Sequence, residues 1–261
     1  MKIIFRRAKK EDLTQIVNLI KGAFPPCYID MMIWGCSGIE KYLSDLINSD
    51  LELCDISNYV ATIDGKVAAV AQLKRNPSKN QLYLNYICTD GAYRRNNVAS
   101  KLLLHSITEE STVFDVMALD VFVDNSAARK WYGDLGFRSV HAKQWAVAEI
   151  NPSALGCGYI SGIPQSERCF SEYGFSQFTL TTESDCYSVG LLGEKYFRVS
   201  DQKITQDPAA MSTLAKFSSI RKLLLIAEKS LEHDGASQFV NVAETIHMDA
   251  PIEAVLSGLR K

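Results

Sequence analysis

The tightest constraint on this chain lies between Leu82 and Ile107. A strand-like stretch, LYLNYICT, is followed by YRRNNVAS, which opens straight into the apolar helical run KLLLHSI. A basic turn therefore joins the end of a strand to the start of a helix. The first backbone N–H groups of a helix have no partner within it and carry the positive end of its dipole, so such a turn is an anion cradle. Phosphate is the natural ligand. Arg94 and Arg95 add charge, while Ala99 and Ser100 keep the inner face thin enough for a ligand to reach the backbone. Taken alone, a basic turn before a helix is more often a solvated surface, so the flanking elements have to decide.

Those elements form a regular series. A short strand at Ile3–Arg6 precedes LTQIVNLIKGAF, whose Leu13, Ile16, Val17 and Ile20 share one helical face, and Pro25 and Pro26 stop that helix. A second helical stretch covers Ile39 to Ile47. NYVATIDGKVAAVAQLKR reads as a hairpin, with Asp64 and Gly65 supplying the positive φ angles of its turn. After the strand, basic turn and helix come the strand MALDVFV, the helix SAARKWYGDL ended by Gly136, and a closing strand near Trp145 to Ile150.

With these residues in view, residues 1–150 resemble the GNAT superfamily of acyl-CoA-dependent N-acetyltransferases. The family's pyrophosphate turn, Q/R-x-x-G-x-G/A, corresponds to Arg94-Arg95-Asn96-Asn97-Val98-Ala99. Asn97 stands in place of the first glycine, and Asn is among the residues that best tolerate left-handed backbone angles. LDVFVDNSAARKWYGDLGF resembles the family's strand, Asn-started helix and closing Gly-Phe. Asp124 or Asn125 can cap that helix, and Asn125 and Tyr132 lie about two turns apart on one face.

The resemblance implies a mixed, largely antiparallel α/β sheet flanked by helices, with acetyl-CoA as co-substrate. It assigns the pantetheine and pyrophosphate contacts to Ile87, Cys88, Thr89, Arg94, Arg95, Asn96, Asn97, Val98, Ala99, Ser100 and Asn125. Ile87-Cys88-Thr89 matches the family's bulged strand, whose backbone holds the pantetheine arm as an added strand and points an N–H at the oxyanion. Tyr132 matches the tyrosine that protonates the departing thiolate. Trp131 beside it reads as packing. A covalent route through Cys88 is the minor alternative, because no histidine partner is evident and a cysteine on a buried strand is usually inert.

Tyr83, Asn85, Asp90 or a water relay could deprotonate the acceptor amine. The acceptor pocket is expected from FPPCYIDMMIW at Phe24–Trp34 and from residues around His141, with Asp30 a candidate contact for a cationic amine. A small metabolite, an antibiotic, a peptide N-terminus and a lysine all remain open as acceptors.

Composition bears on what else is excluded. A net charge of −2 lacks the broad positive field of a general nucleic-acid binder, and aminoacyl transfer from tRNA is correspondingly remote. The seven cysteines contain no CxxC pair, and the four histidines lack HExxH spacing, so neither a disulfide framework nor a metal site is expected. No apolar run is long enough to span a bilayer, and MKIIFRRAKKEDL turns charged too early for a secretory signal, which makes the cytoplasm the expected location.

Residues 151–164 read as a linker, and residues 165–261 as a second, smaller α/β block: a strand FSQFTLTT, a hairpin turning at Gly193-Glu194, a helix from about Ser218 to Glu232, a strand QFVNVAE and a final helix PIEAVLSGL. Matching KLLLIAE to KLLLHSI, and IHMDAPIEAVLS to VFVDNSAARKWY, makes this block a degenerate GNAT-like half domain. Ala250 and Ser257 then fall where Asn125 and Tyr132 stand. The expected function is an N-acetyltransferase acting by direct attack of a primary amine. The alternative is a non-catalytic acyl-CoA-binding or interaction protein.

Overall fold

A computed structural model describes residues 2–49, 54–110, 114–150, 158–228 and 239–261. In chain order the main elements are β1 (Ile3–Arg7), α1 (Leu13–Ala23), α2 (Pro26–Ile29), α3 (Ile39–Asn48), β2 (Ile56–Ile63), β3 (Lys66–Asn76), β4 (Gln81–Thr89), α4 (Val98–Glu110), β5 (Val116–Phe122), α5 (Ser126–Asp134) and β6 (Arg138–Ala148). They continue with β7 (Tyr159–Ser161), α6 (Ile163–Tyr173), β8 (Phe175–Thr181), β9 (Cys186–Leu192), β10 (Tyr196–Val199), α7 (Pro208–Phe217), β11 (Lys222–Glu228), β12 (Val240–Pro251) and α8 (Ile252–Leu259).

Contacts divide the chain into two compact units. The first comprises Met1–Pro25, Tyr42–His141 and Ile246–Lys261; the second comprises Pro26–Lys41 and Ala142–Thr245. These limits differ from 1–150, 151–164 and 165–261. Residues from Ile246 onward group with the first unit, and Pro26–Lys41 groups with the second. Within the expected linker, Tyr159–Ser161 pairs with β8 and Ile163 starts a helix, while residues 151–157 lie outside the described residues.

In the first unit β1, β2, β3 and β4 pair antiparallel in turn, and β4 pairs parallel with β5. The β2–β3 turn has Asp64 at φ 49° and Gly65 at φ 78°, as the DG signal requires. Residues 246–251 of β12 lie next to β5, between it and the start of β6. A parallel pair needs a crossover, and α4 supplies it. Leu102, Leu103 and Ile107 of this helix pack on Leu82, Leu84, Met117 and Leu119, all fully buried or nearly so. Each such side chain contributes about 1.5–3 kcal/mol of burial. The face of α1 carrying Leu13, Ile16, Val17 and Ile20 is buried as its spacing predicts, and it packs across β3 and β4.

The last turn of α4 is fixed by charge. A carboxylate at a helix C-terminus is unfavourable to the dipole, and Glu110 is almost fully buried there. Arg75 Nε and the Tyr59 hydroxyl each donate to it at 2.6 Å, and Arg7 donates at 3.4 Å. Burial would raise the Glu110 pKa, but the bonds from Tyr59, Ser57 and Arg75 together hold it below the ordinary range.

The second unit repeats this series. Strands β7, β8, β9 and β10 pair antiparallel in turn, and β10 pairs parallel with β11 across α7. The segment expected as a helix from Ser218 to Glu232 is instead a strand at Lys222–Glu228, with residues 229–232 outside the described set. KLLLIAE is thus not the counterpart of KLLLHSI: the first is β11 and the second lies in α4. In element order α7 corresponds to α4 and β11 to β5, while β12 and α8 contribute residues to the first unit, so Ala250 and Ser257 are not second copies of Asn125 and Tyr132. The repeat also starts earlier than a half domain, since β7 and α6 stand where β1 and α1 do.

Candidate active site

Parallel pairing of β4 with β5 runs only from Gln81–Val116 to Leu84–Leu119. Beyond it the two strands part, and a cleft of about 570 Å³ opens. Its walls include Ile87, Cys88 and Thr89 of β4, the turn residues Arg94, Arg95 and Asn97, and Val98, Ala99 and Ser100 of the first turn of α4. Asn125, Ala127, Ala128, Trp131 and Tyr132 close the other side, with Ala23, Phe24 and Tyr93 completing the rim. Of the residues expected to hold acetyl-CoA or to protonate its thiolate, only Asn96 is not on the wall. Its amide donates to the Tyr93 carbonyl at 3.5 Å and so belongs to the turn itself.

The turn is held in a conformation few residues adopt. Asn97 has φ 55° and Arg95 has φ 63°, both left-handed. Asn97 therefore takes the backbone angle for which glycine is usual, and Arg95 does so without the help of a short side chain. Asp90 accepts the Ala92 N–H at 2.8 Å, and Arg94 Nε donates to the Thr89 carbonyl at 3.3 Å, which ties the turn to the end of β4. The first N–H groups of α4 lack acceptors within the helix and border the cleft, beside two guanidinium groups.

On the opposite wall Asn125 is the N-cap of α5, accepting the Ala128 N–H at 3.1 Å. Tyr132 lies two turns further on and is 8% exposed. Burial, and then the neighbouring Cys88, push its pKa up, so the phenol carries its proton. Burial likewise pushes the Cys88 thiol up to about 12, although Arg94 pulls it back. A neutral thiol in this position is a poor nucleophile. Trp131, expected only to pack, lies tilted beside Tyr132 with ring centroids 5.1 Å apart and also lines the cleft.

The β-bulge is not at Ile87–Thr89. Those residues pair regularly with Ala71, Val70 and Ala69, and the register shift leaves Asn85 without a partner on β3. The three candidate bases are each engaged. Asn85 donates to Gln72 at 3.1 Å, Asp90 caps its turn, and Tyr83 is half-buried, with its pKa raised by burial and by Asp120. Asp30 groups with the second unit, where it is bridged to Lys195 at 2.5 Å. Phe24 does line the cleft, and its ring meets Tyr86 at 6.3 Å and Phe122 at 6.1 Å.

Residues 16–137 match the acetyltransferase (GNAT) family model. These residues are a GNAT acetyltransferase domain. The family's co-substrate is acetyl-CoA, and its members are enzymes of acetyl transfer. N-alpha-acetyltransferase 50 of Danio rerio is 25% identical over 128 residues, covering 48% of this chain and 74% of that protein. Over nearly the whole length, the fold is similar to that of a tandem GNAT protein from the clavulanic acid biosynthesis pathway, with a TM-score of 0.63, 10% identity, and coverage of 96% and 98%. It is also similar to a GCN5-related N-acetyltransferase from Sphaerobacter thermophilus, with a TM-score of 0.60, 13% identity, and 96% of each chain covered. At these identities it is the fold that is shared. The first of these two structures is a tandem GNAT protein, and in this chain the second unit repeats the strand series of the first. Among the described residues no group of His, Cys, Asp and Glu could hold a metal ion, and no helix is long and apolar enough to cross a membrane.

Proposed function

We propose that this protein transfers the acetyl group of acetyl-CoA to a primary amine by direct attack, using the cleft of the first unit. The carrying observation is the meeting, in that one cleft, of the α4 N-terminus with its two arginines and the buried, protonated Tyr132. In this reading the pyrophosphate rests on the N–H groups of Val98, Ala99 and Ser100, with Arg94 and Arg95 adding charge. The pantetheine arm lies along Ile87–Thr89, whose edge toward β5 is released where the strands part.

Holding thioester and amine together supplies much of the rate, and Tyr132 protonates sulfur as the C–S bond breaks. The neutral Cys88 thiol favours direct transfer over an acetyl-cysteine intermediate. Phe24, Tyr86 and Phe122 give the acceptor an aromatic approach. The Danio rerio relative is by name an N-alpha-acetyltransferase, which supports a peptide α-amine as the first acceptor to try.

Calorimetric titration with acetyl-CoA, followed by measurement of CoA release with short peptides bearing free N-termini and with small amines, tests the proposal. Saturable binding and an N-acetyl product detected by mass spectrometry are expected. Absence of acetyl-CoA binding at millimolar concentration would overturn it.

A further inference from the structure

Asp120 is the first residue of β5 after its pairing with β4 ends, so it stands where the two strands begin to part. Leu119 and Val121 point into the core under α4, which turns Asp120 and Phe122 to the other face. Phe122 meets Phe24 on the rim of the cleft, and Asp120 is about 7 Å back along the same face. Residue 247 of β12 arrives at this point from far along the chain. His247 Nδ1 is 2.8 Å from Asp120 Oδ1, and the pair is only partly exposed, at 16% and 28%. The His247 ring stacks on His141 of β6 at 4.8 Å and on Tyr83 of β4 at 6.1 Å.

This arrangement fixes the imidazole. An ionised carboxylate only accepts, so Nδ1 must carry the proton that bonds Asp120, and in the neutral ring Nε2 is then the nitrogen with the lone pair. Tyr83 also bonds Asp120, which further holds the carboxylate. The groups that share this face with His247 are Tyr83 on β4, Asp120 on β5, His141 on β6 and, two residues along β12, Asp249. Tyr83, Asn85 and Asp90 are each engaged, and on this face it is His247 that is bonded to a carboxylate through one ring nitrogen.

We infer that His247 is the general base of acetyl transfer, oriented by Asp120, an inference that rests on the reading of the cleft as an acetyl-transfer site. Nε2 takes a proton from the acceptor ammonium. The freed nitrogen pair forms the C–N bond, and the C–S bond breaks with its electrons on sulfur. Tyr132 protonates the thiolate, the new amide nitrogen gives up its extra proton to reprotonate Tyr132, and His247 passes its proton to water. The base comes from the C-terminal segment, beyond the matched 16–137.

The test uses the full chain with acetyl-CoA and phenethylamine, an amine suited to the aromatic approach. For the parent, kcat/KM should rise with pH. His247→Ala should lower it at neutral pH by about a hundredfold or more, abolish that limb and leave acetyl-CoA binding unchanged. Added imidazole should restore part of the rate in His247→Ala, which a structural role would not produce. Asp120→Asn should give an intermediate loss. Parental pH profiles in His247→Ala, or no rescue by imidazole, would overturn the inference. So would a parent that binds acetyl-CoA but does not acetylate phenethylamine. Failure of the parent to bind acetyl-CoA would instead sink the acetyl-transfer reading itself.

Discussion

Asp207 Oδ1 accepts the backbone N–H of Ala210 at 3.0 Å, and that of Ala209 at 2.9 Å. In element order α7 is the second unit's counterpart of α4, so the place where α4 offers free N–H groups to an anion is occupied in α7 by its own carboxylate. Pro208, the first residue of the helix, has no N–H to offer. The Thr182 and Tyr187 hydroxyls hold the other oxygen of Asp207 at 2.6 and 3.1 Å. The chain should therefore take up one acetyl-CoA, read by native mass spectrometry. Replacing Arg94 and Arg95 by Gln should remove most of that binding and uncover no residual second site. Retention of one tightly held CoA in this variant would count against the assignment.

Tyr132→Phe should reduce kcat by about a hundredfold while changing acetyl-CoA affinity little, because the hydroxyl matters only as charge develops on sulfur. Parallel titration and steady-state measurements separate the two effects. A parental kcat in the Phe variant would leave Tyr132 as part of the core it already borders.

At Asn97 the backbone holds φ 55°, an angle that glycine reaches without strain. Asn97→Gly should accordingly leave acetyl-CoA affinity unchanged or raise it, whereas Asn97→Val should weaken it, since a β-branched residue resists this angle. Calorimetry on both variants is sufficient. A marked loss in the glycine variant would mean that the Asn side chain itself touches the ligand.

Glu110→Gln should destabilise the protein by about 3–5 kcal/mol at neutral pH, because Arg75 would lose its charge partner in a site with little solvent. The sign of the pH dependence follows from the lowered pKa of Glu110. Its contribution is complete above the pKa of an unfolded glutamate and is lost as pH falls through the lower folded value. Urea unfolding of parent and variant should thus differ most near neutrality and converge as pH falls below the ordinary carboxylate range.

Much of the site was legible because it is local. The strand, basic turn and helix at Leu82–Ile107, and the Asn125 cap two turns before Tyr132, depend on neighbours within a few residues, and periodicity and capping report such neighbours directly. Lys222–Glu228 was not legible. A run of apolar residues fits a helix and a strand buried on both faces equally well, and here Leu223, Leu224 and Leu225 are all buried between β10 and β6. The left-handed Arg95 carries no residue signal. His247 was invisible for a different reason: its partner Asp120 is 127 residues away, and no local pattern relates them.

The placement of residues 246–251 beside β5 bears on how the protein is made. During synthesis β1 to β5 and α4 emerge long before β12, and until then the outer edge of β5 has no strand against it. An unpaired edge is a template for adventitious pairing, and closing a loop of this length is a slow, late event. The nascent first unit is thus exposed to aggregation for as long as the ribosome takes to finish the second, which makes it a natural client for chaperones that shield open sheet edges.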